Sequence, residues 1–596
     1  GTGANIFRGH TNVQGATDLG LDVGNLPLYY GLVEGAWRHW GRVWDVPYDY
    51  FVSRFDAVPA KGGRAARTPK QNMETSGIPS TRWFDATLMP GDQVDQKDNI
   101  KAMFVMGHGG NTIPRVPGAV EGLGKLDLLV IVDPHPTNFV SLGNRREGSY
   151  ILPACTNFEC SGSRTASNRS LQWGEKVVEP IFESANDYWI IYKFAQKLGF
   201  ANEMFKNITM VKGKYGDEPE AESLLREINR GGWSTGYTGQ SPERLKAHMA
   251  NQDKFDLVTL RAPKELADIG GDYYGLPWPC WGKPEVRHPG SHLLYNTNLR
   301  VMDGGGAFRP RFGLERNGET LLAQNSWNLD SPIQDGYPEF TYAVFQRLGW
   351  DADLTAEEKA QIERQGGANP GAVSWATDLS GGIQRVCLMK NVVPYGNGKA
   401  RAIAWNLPDP VPIHREPIYT PRPDLVAKYP ARADERNLRM PNLHTTYQKG
   451  AVDKGIARQF PIILTSGRLV EYEGGGEETR SNKWLAELQQ DMFVEINPRD
   501  AGQRNIADGQ WVWVNGPEGG RTRVKALVTE RVGPGVAWMP FHFGGWYQGE
   551  DQRKNYPQGT DPIVLGESVN TVTTYGYDPV TGMHEGKATL CQIQAA

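Results

Sequence analysis

Ala102-Met103-Phe104-Val105-Met106-Gly107-His108-Gly109-Gly110-Asn111 and, further along, Leu126-Asp127-Leu128-Leu129-Val130-Ile131-Val132-Asp133-Pro134-His135-Pro136-Thr137 are the stretches that decide the fold class. Each is a short apolar run that stops abruptly in a polar loop marked by glycine or proline. Runs without polar alternation predict strands buried on both faces of a parallel sheet. Ligands of such sheets sit at the carboxyl ends of the strands, where the loops Gly107–Asn111 and Asp133–Thr137 fall. A third run, Tyr150-Ile151-Leu152-Pro153, closes the unit. Tyr188, Ile191, Tyr192, Ala195 and Leu198 then recur at helical spacing until Gly199 supplies a stop.

Away from this unit the pattern loosens and then changes. Between about residues 200 and 450, loops rich in Gly, Pro and aromatics interrupt short helices such as Ala356–Gln365, with no clean boundary. Thr420–Leu443 is dense in Pro and charge, which predicts a surface connection between domains. From Phe460 onward, short alternating runs predict strands at Pro461–Leu464, Met492–Ile496, Gln510–Val514, Arg521–Val528 and Val536–Met539, the signature of a compact β-barrel. The expected architecture is α/β: a parallel-sheet region over 1–450, with insertions about 200–450, followed by a β-barrel over 451–596.

Composition narrows the function classes. A chain of 596 residues, 39% hydrophobic and with 18 Trp, has apolar area for several cores and is not bulk disorder. Lys and Arg number 64 against 68 Asp and Glu, a net charge of -4 with no long basic run, so no nucleic acid partner is expected. Gly (70) and Pro (40) are abundant, which suits many ordered loops around a large ligand. The five cysteines include no C-x-x-C pair, so neither a disulfide framework nor a zinc site is written. Apolar runs stay far below the roughly 18 residues of a membrane span. The opening residues read as the interior of a domain, and a fragment of a longer polypeptide is expected.

Single motifs leave alternatives open. Arg8-Gly9-His10-Thr11-Asn12-Val13-Gln14-Gly15 is a polar loop bonded to itself or a site, in equal measure. Gly107–Asn111 exposes backbone N–H groups but lacks the G-x-G-x-x-G order. Asp133 and Thr137 stand on the loop after the second strand, where a carboxylate can accept from a purine edge or a ribose; Asp is also a routine helix cap, and by itself that reading is preferred. Thr465-Ser466-Gly467-Arg468, Gly474-Gly475-Gly476 and Thr479-Arg480 suit an anionic ligand or a sharp barrel corner. His542, in an aromatic loop, reads as a buried histidine satisfied by backbone and is given no proton-transfer role. Cys155 and Cys160 read as two buried thiols.

Taken in chain order, five pieces carry a resemblance: Arg8–Gly15; Met106–Asn111; Leu126–Thr137; Ile151–Pro153 continuing through Gly162–Trp173; and Thr465–Arg468 with its barrel. Together they resemble the large catalytic subunit of molybdenum- or tungsten-dependent formate dehydrogenases, within the family that binds bis-molybdopterin guanine dinucleotide. The resemblance implies a cofactor-binding domain over 1–450, a double-psi-like barrel cap over 451–596, and oxidation of formate to carbon dioxide at a Mo or W centre. It implies that Arg8 is the catalytic arginine that binds formate. The chemistry agrees, because a one-carbon acid offers only its two oxygens, and a guanidinium grips both.

By the same resemblance His10, Asn111, Asp133 and Thr137 contact the dinucleotide. Ser466, Gly467, Arg468, Thr479, Asn570 and Lys587 line its cap. The family holds its metal through Cys or selenocysteine followed by His, and no Cys-His dipeptide occurs here. No metal ligand is therefore assigned. The metal ligand and the iron–sulfur cluster are expected on a missing amino-terminal part of the catalytic subunit, with an iron–sulfur electron-transfer subunit as partner. The run His108–Arg115 looks closer to periplasmic, membrane-associated versions than to cytoplasmic ones. The alternatives are another oxidoreductase of the same cofactor family, acting on nitrate or polysulfide, and, from a different class, a carbohydrate-binding module stacking sugars on tryptophans.

Overall fold

The computed structural model describes residues 10–143, 147–166, 170–231, 241–258, 261–266, 269–272, 274, 340–375, 377–390, 413–579 and 582–596, with short strand pairs at 281–283 with 288–290 and 315–316 with 319–320. The chain divides into two compact units. The first comprises Gly1–Ala57, Arg67–Ser76 and Cys155–Val411, and the second Val58–Ala66, Gly77–Ala154 and Pro412–Ala596. The units interleave along the chain, whereas the sequence division at 450/451 is consecutive. Among the described residues no helix is long and apolar enough to cross a membrane.

In the first unit, a core around Leu28, Trp40, Phe340, Phe345, Ile362 and Cys387 joins helices Glu34–Trp44, Tyr342–Leu348, Ala356–Gly366 and Gly382–Met389. Thr355 and Glu358 form a reciprocal cap at the start of Ala356–Gly366. The helix read from periodicity runs Asp187–Leu198, and Gly199 ends it at φ 79°, a left-handed conformation open to glycine.

The second unit holds both predicted layers. β1 (Ala102–Met106), β2 (Leu128–Asp133) and β3 (Ser149–Pro153) form a parallel sheet in the order β1-β2-β3, with α1 (Val116–Leu123) crossing between the first two and α2 (Asn138–Leu142) following β2. Only the central strand is buried on both faces. Phe104 and Met106 of β1 are 46% and 39% exposed, and Tyr150 and Ile151 of β3 are 58% and 37% exposed. The expectation of double burial is thus corrected for the outer strands: in a sheet of three, two strands are edges, and apolar content alone does not say which strand is central.

The barrel is closed and six-stranded. Its strands are β4 (Ile462–Gly467), β5 (Phe493–Ile496), β6 (Trp511–Asn515), β7 (Arg521–Val528), β8 (Val536–Pro540) and β12 (Thr589–Ala595), in the order β4-β8-β5-β7-β6-β12. β4 with β8 and β5 with β7 are parallel, and the other pairs are antiparallel. Alternation works as a barrel requires: Val512, Val514, Val524, Ala526, Ala537, Met539 and Ile593 point inward and are nearly or wholly buried. Each such aliphatic side chain contributes on the order of 1.5–3 kcal/mol of transfer energy. A small outer sheet, β9 (Gly545–Tyr547), β10 (Glu550–Asp551) and β11 (Gly566–Glu567), lies between β8 and β12 in the chain.

Thr420–Leu443 is no link between domains. It lies wholly within the second unit and folds a hairpin, Glu435–Asn437 with Met440–Asn442, in which Met440 and Asn442 are fully buried. Its prolines and charges hid that packing.

Candidate functional site

The loops at the carboxyl ends of β1 and β2 meet the loops of the barrel rim, and Asn111 is the knot between them. Its side chain is completely buried. Its Nδ2 donates to the carbonyls of Gly475 (2.6 Å), Phe543 (2.9 Å) and Phe541 (3.4 Å). Its own carbonyl accepts from Asn570 Nδ2 at 2.6 Å and Ser568 Oγ at 3.2 Å. Three segments far apart in sequence are thereby tied to this loop by one residue, two through its side-chain amide and one through its backbone carbonyl.

The approach at this knot tolerates no side chain. A Cβ on Gly109 would lie 2.9 Å from both Asn111 Oδ1 and Glu477 Oε2 and 3.2 Å from the Gly475 Cα, so the two glycine loops cross at backbone contact. Glu477 begins α3 (Glu477–Arg480) and is 3% exposed. Its Oε1 accepts from Asn138 N at 3.3 Å and lies 3.8 Å from Arg480 Nη2. Burial pushes its carboxyl up to about 7; Arg480 opposes that rise, and Glu478 and Asp133 add to it.

The residues read from sequence fall as follows. Arg8 lies outside the described residues. His10 belongs to the first unit, where its carbonyl accepts from Val13 N at 3.4 Å. Asn111, Asp133, Thr137, Ser466, Gly467, Arg468, Thr479, Asn570 and Lys587 all belong to the second. Asp133 is 7% exposed, and its Oδ1 accepts from His135 N at 3.1 Å. Thr137 is 2% exposed and flanks α2, yet its hydroxyl makes no capping bond.

Ser466 and Gly467 end β4. Lys587 Nζ donates to the Ser466 carbonyl at 2.8 Å, and both it and Arg468 lie over the Phe541 ring, 5.5 and 5.3 Å from its centroid. Burial lowers the Lys587 ammonium pKa, and the neighbouring Arg468 lowers it further. Arg468 stays half exposed, with Glu473 at 3.4 Å. Thr479 is spent on its own loop, accepting from Glu473 N and donating to the Gly476 carbonyl.

Arg480 is not available to an anion. It is fully buried, and its guanidinium donates to the carbonyls of His542 (2.9 Å), Gly544 (3.2 Å) and Val564 (2.8 Å). The anionic-ligand reading of that arginine is corrected: it is a clamp on backbone. The expectation for His542 holds for one ring nitrogen: Nδ1 donates to the Gly474 carbonyl at 2.7 Å, whereas Nε2 is buried without a partner, and burial lowers the pKa of the ring. Sequence reasoning passed over Glu477, Asn138 and Phe541. The one available signal was the glutamate directly after three glycines.

A large cofactor fits these observations. Asn111 Oδ1, Thr137 Oγ1 and His542 Nε2 are buried without a hydrogen-bond partner, which is costly unless a ligand or water supplies one. The paired cations Arg468 and Lys587 repel each other and suit a phosphate-bearing group.

Three carboxyls are pushed up to about 7, the fully buried Glu477 and Glu567 and the half-buried Glu585, and the first two set most of a pH dependence. Folding strengthens proton binding at both. As pH rises from about 4.5 to 7 the unfolded chain releases these protons and the folded chain keeps them, so stability falls through that window and levels off above it. Urea midpoints are expected to drop between about pH 5 and about pH 8, and Glu477→Gln with Glu567→Gln to flatten the slope. An unchanged slope in the double variant would show that neither carboxyl carries the proton.

Comparison with known proteins follows the same geography. Residues 10–197 match the family model described as molybdopterin oxidoreductase, and residues 462–590 the one described as molydopterin dinucleotide binding domain. The chain is 25% identical to formate dehydrogenase 2 subunit alpha (cytochrome c-553) of Nitratidesulfovibrio vulgaris, over 100% of this chain and 57% of that protein. It is 24% identical to the formate dehydrogenase subunit alpha of Megalodesulfovibrio gigas, over 100% and 57%. It is also 24% identical to the nitrate-inducible formate dehydrogenase major subunit of Escherichia coli, over 96% and 56%. The chain thus spans little more than half the length of these relatives.

Proposed function

We propose that this chain, which belongs to the molybdopterin oxidoreductase family, is part of the catalytic subunit of an enzyme that oxidises formate to carbon dioxide. The observation that supports this most is the knot at Asn111: a parallel sheet presents its carboxyl-end loops to a barrel rim that bears two cations and several unpaired buried polar atoms. A bis-molybdopterin guanine dinucleotide, when bound with Mo or W, supplies the acceptor for the two electrons of formate.

The chain's own residues would do the holding. Asp133 accepts from an amino edge of the dinucleotide, Thr137 and Asn111 offer buried hydroxyl and carbonyl oxygens, and Ser466, Gly467, Arg468 and Lys587 face its phosphates. Asn570 completes this shell by fixing the Asn111 carbonyl. Arg8 grips the formate carboxylate through both oxygens, which leaves the C–H bond as the only part free to react; fixing so small a substrate is chiefly a proximity effect. One proton and two electrons leave for each carbon dioxide formed.

The proposal extends to the surroundings. The metal ligand and an iron–sulfur cluster lie on a further amino-terminal segment of the subunit, electrons pass to an iron–sulfur partner subunit, and the assembly is periplasmic and membrane-associated.

In the full assembly, Arg8→Ala is expected to lower formate turnover by roughly 10²-fold or more with Mo, W and pterin content retained. Unchanged kinetics would remove Arg8 from the reaction. A preparation that reduces nitrate and does not oxidise formate would replace formate as the substrate.

A further inference from the structure

The outer wall of the barrel carries an arrangement that the proposed reaction does not use. β6 and β7 pair antiparallel, with Trp511 opposite Lys525, Trp513 opposite Arg523 and Asn515 opposite Arg521. Val512, Val514, Thr522, Val524 and Ala526 fill the inside, so strand alternation turns the two tryptophans and three cations outward.

On that face the cations lie over the rings. The Arg521 guanidinium is 4.5 Å from the Trp513 centroid, that of Arg523 is 5.1 Å from Trp511, and Lys525 Nζ is 5.7 Å from Trp511. Trp546 of β9 lies parallel to Trp511, with centroids 6.2 Å apart and planes 6° apart. Lys525 is neutralised by Asp491 at 2.6 Å. The two arginines are not: among the described residues neither has a carboxylate within 4.0 Å. Glu567, whose carboxyl feels the charge of Arg521, is completely buried.

A guanidinium held against an indole has lost much of its rotamer freedom before any partner arrives, and stacking leaves its in-plane N–H groups free to bind a carboxylate. Two such groups on alternate residues of one strand stand about 6.7 Å apart, the same repeat at which an extended peptide presents every second side chain. We propose that the Arg521–Arg523 strip, backed by Trp511 and Trp513, docks a carboxylate-rich extended segment of a partner protein. Charge complementarity selects the occupant: two cations with no carboxylate partner among the described residues are fixed on an aromatic bed. The inference stands apart from the formate reading and does not depend on the cofactor.

The test is fluorescence anisotropy of a fluorescein-labelled octaglutamate peptide titrated with the full chain. Saturable binding is expected, weakening as salt rises. Arg521→Ala with Arg523→Ala is expected to cost about tenfold or more in affinity, and Arg521→Lys with Arg523→Lys, which keeps the charge and loses the fork, a smaller but clear loss. Lys449→Ala, an exposed cation elsewhere in the same unit, is expected to bind as the parent does. Should the alanine pair fail to fold, the lysine pair decides alone. Absence of binding by the parent, equal affinity in the arginine variants, or an equal loss in Lys449→Ala each overturns the proposal. Tighter binding of a thymidine octanucleotide, or recruitment to phosphatidylserine vesicles in preference to the peptide, overturns it too by naming another class of partner.

Discussion

Asn111→Asp is expected to destabilise the second unit by roughly 3–5 kcal/mol, the range in which breaking a fully buried polar network falls. The change is a single atom, yet it replaces a donor by an acceptor in front of the carbonyls of Gly475, Phe541 and Phe543. It also sets a second carboxyl within the space already shared with Glu477. Two like charges in a dry pocket cannot both be retained, so at least one must stay protonated. Urea denaturation of the full chain measures the loss. A destabilisation under about 1 kcal/mol would mean that water already enters the knot.

Arg480→Met carries an effect of similar size, roughly 3–5 kcal/mol, by another route. The methionine fills much of the volume but removes the guanidinium donor from the His542 and Val564 carbonyls, leaves the Gly544 carbonyl with Gly566 N–H alone, and leaves Glu477 without its opposing charge. The Glu477 carboxyl would then rise further. Arg468→Met is the contrast: its side chain is half exposed and its ion pair with Glu473 is long, so a change within about 0.5 kcal/mol is expected. If the two substitutions cost the same, the clamp reading of Arg480 fails.

These two arginines also show where sequence reading stopped. Both stand near glycines and hydroxyl side chains, and composition made both look like ligand contacts. A buried arginine clamping backbone and an exposed one facing an anion differ only in what folds over them. For Arg480 the carbonyls come from residues 62 to 84 positions away. Glu477 escaped for the same reason, since its partner Asn138 is 339 positions distant.

Local pattern did better where local physics decides. Five of the six barrel strands were read within a residue or three of their ends, because alternation along a barrel strand needs no knowledge of its neighbours. The sixth, β12, was missed. Cys591 and Ile593 point into the barrel, but Leu590 is buried on the opposite face against Ala451 and Ile456, which blurs the alternation, and the strand's partners β4 and β6 are remote in the chain. The parallel strands were legible as strands, while the exposure of Phe104 and Tyr150 was not, because edge or centre is a property of the sheet.

The interleaving of the two units has a bearing on biosynthesis. Gly77–Ala154 emerges from the ribosome long before Pro412–Ala596, with which it shares a core. At about 5–20 residues per second, the nascent sheet waits roughly 22–88 s for the barrel that completes it, whose last strand ends at Ala595. Throughout that interval Asn111 has none of its rim acceptors. A maturation factor arriving before the barrel has folded would meet a half-built cradle, which places insertion of any large prosthetic group after barrel closure.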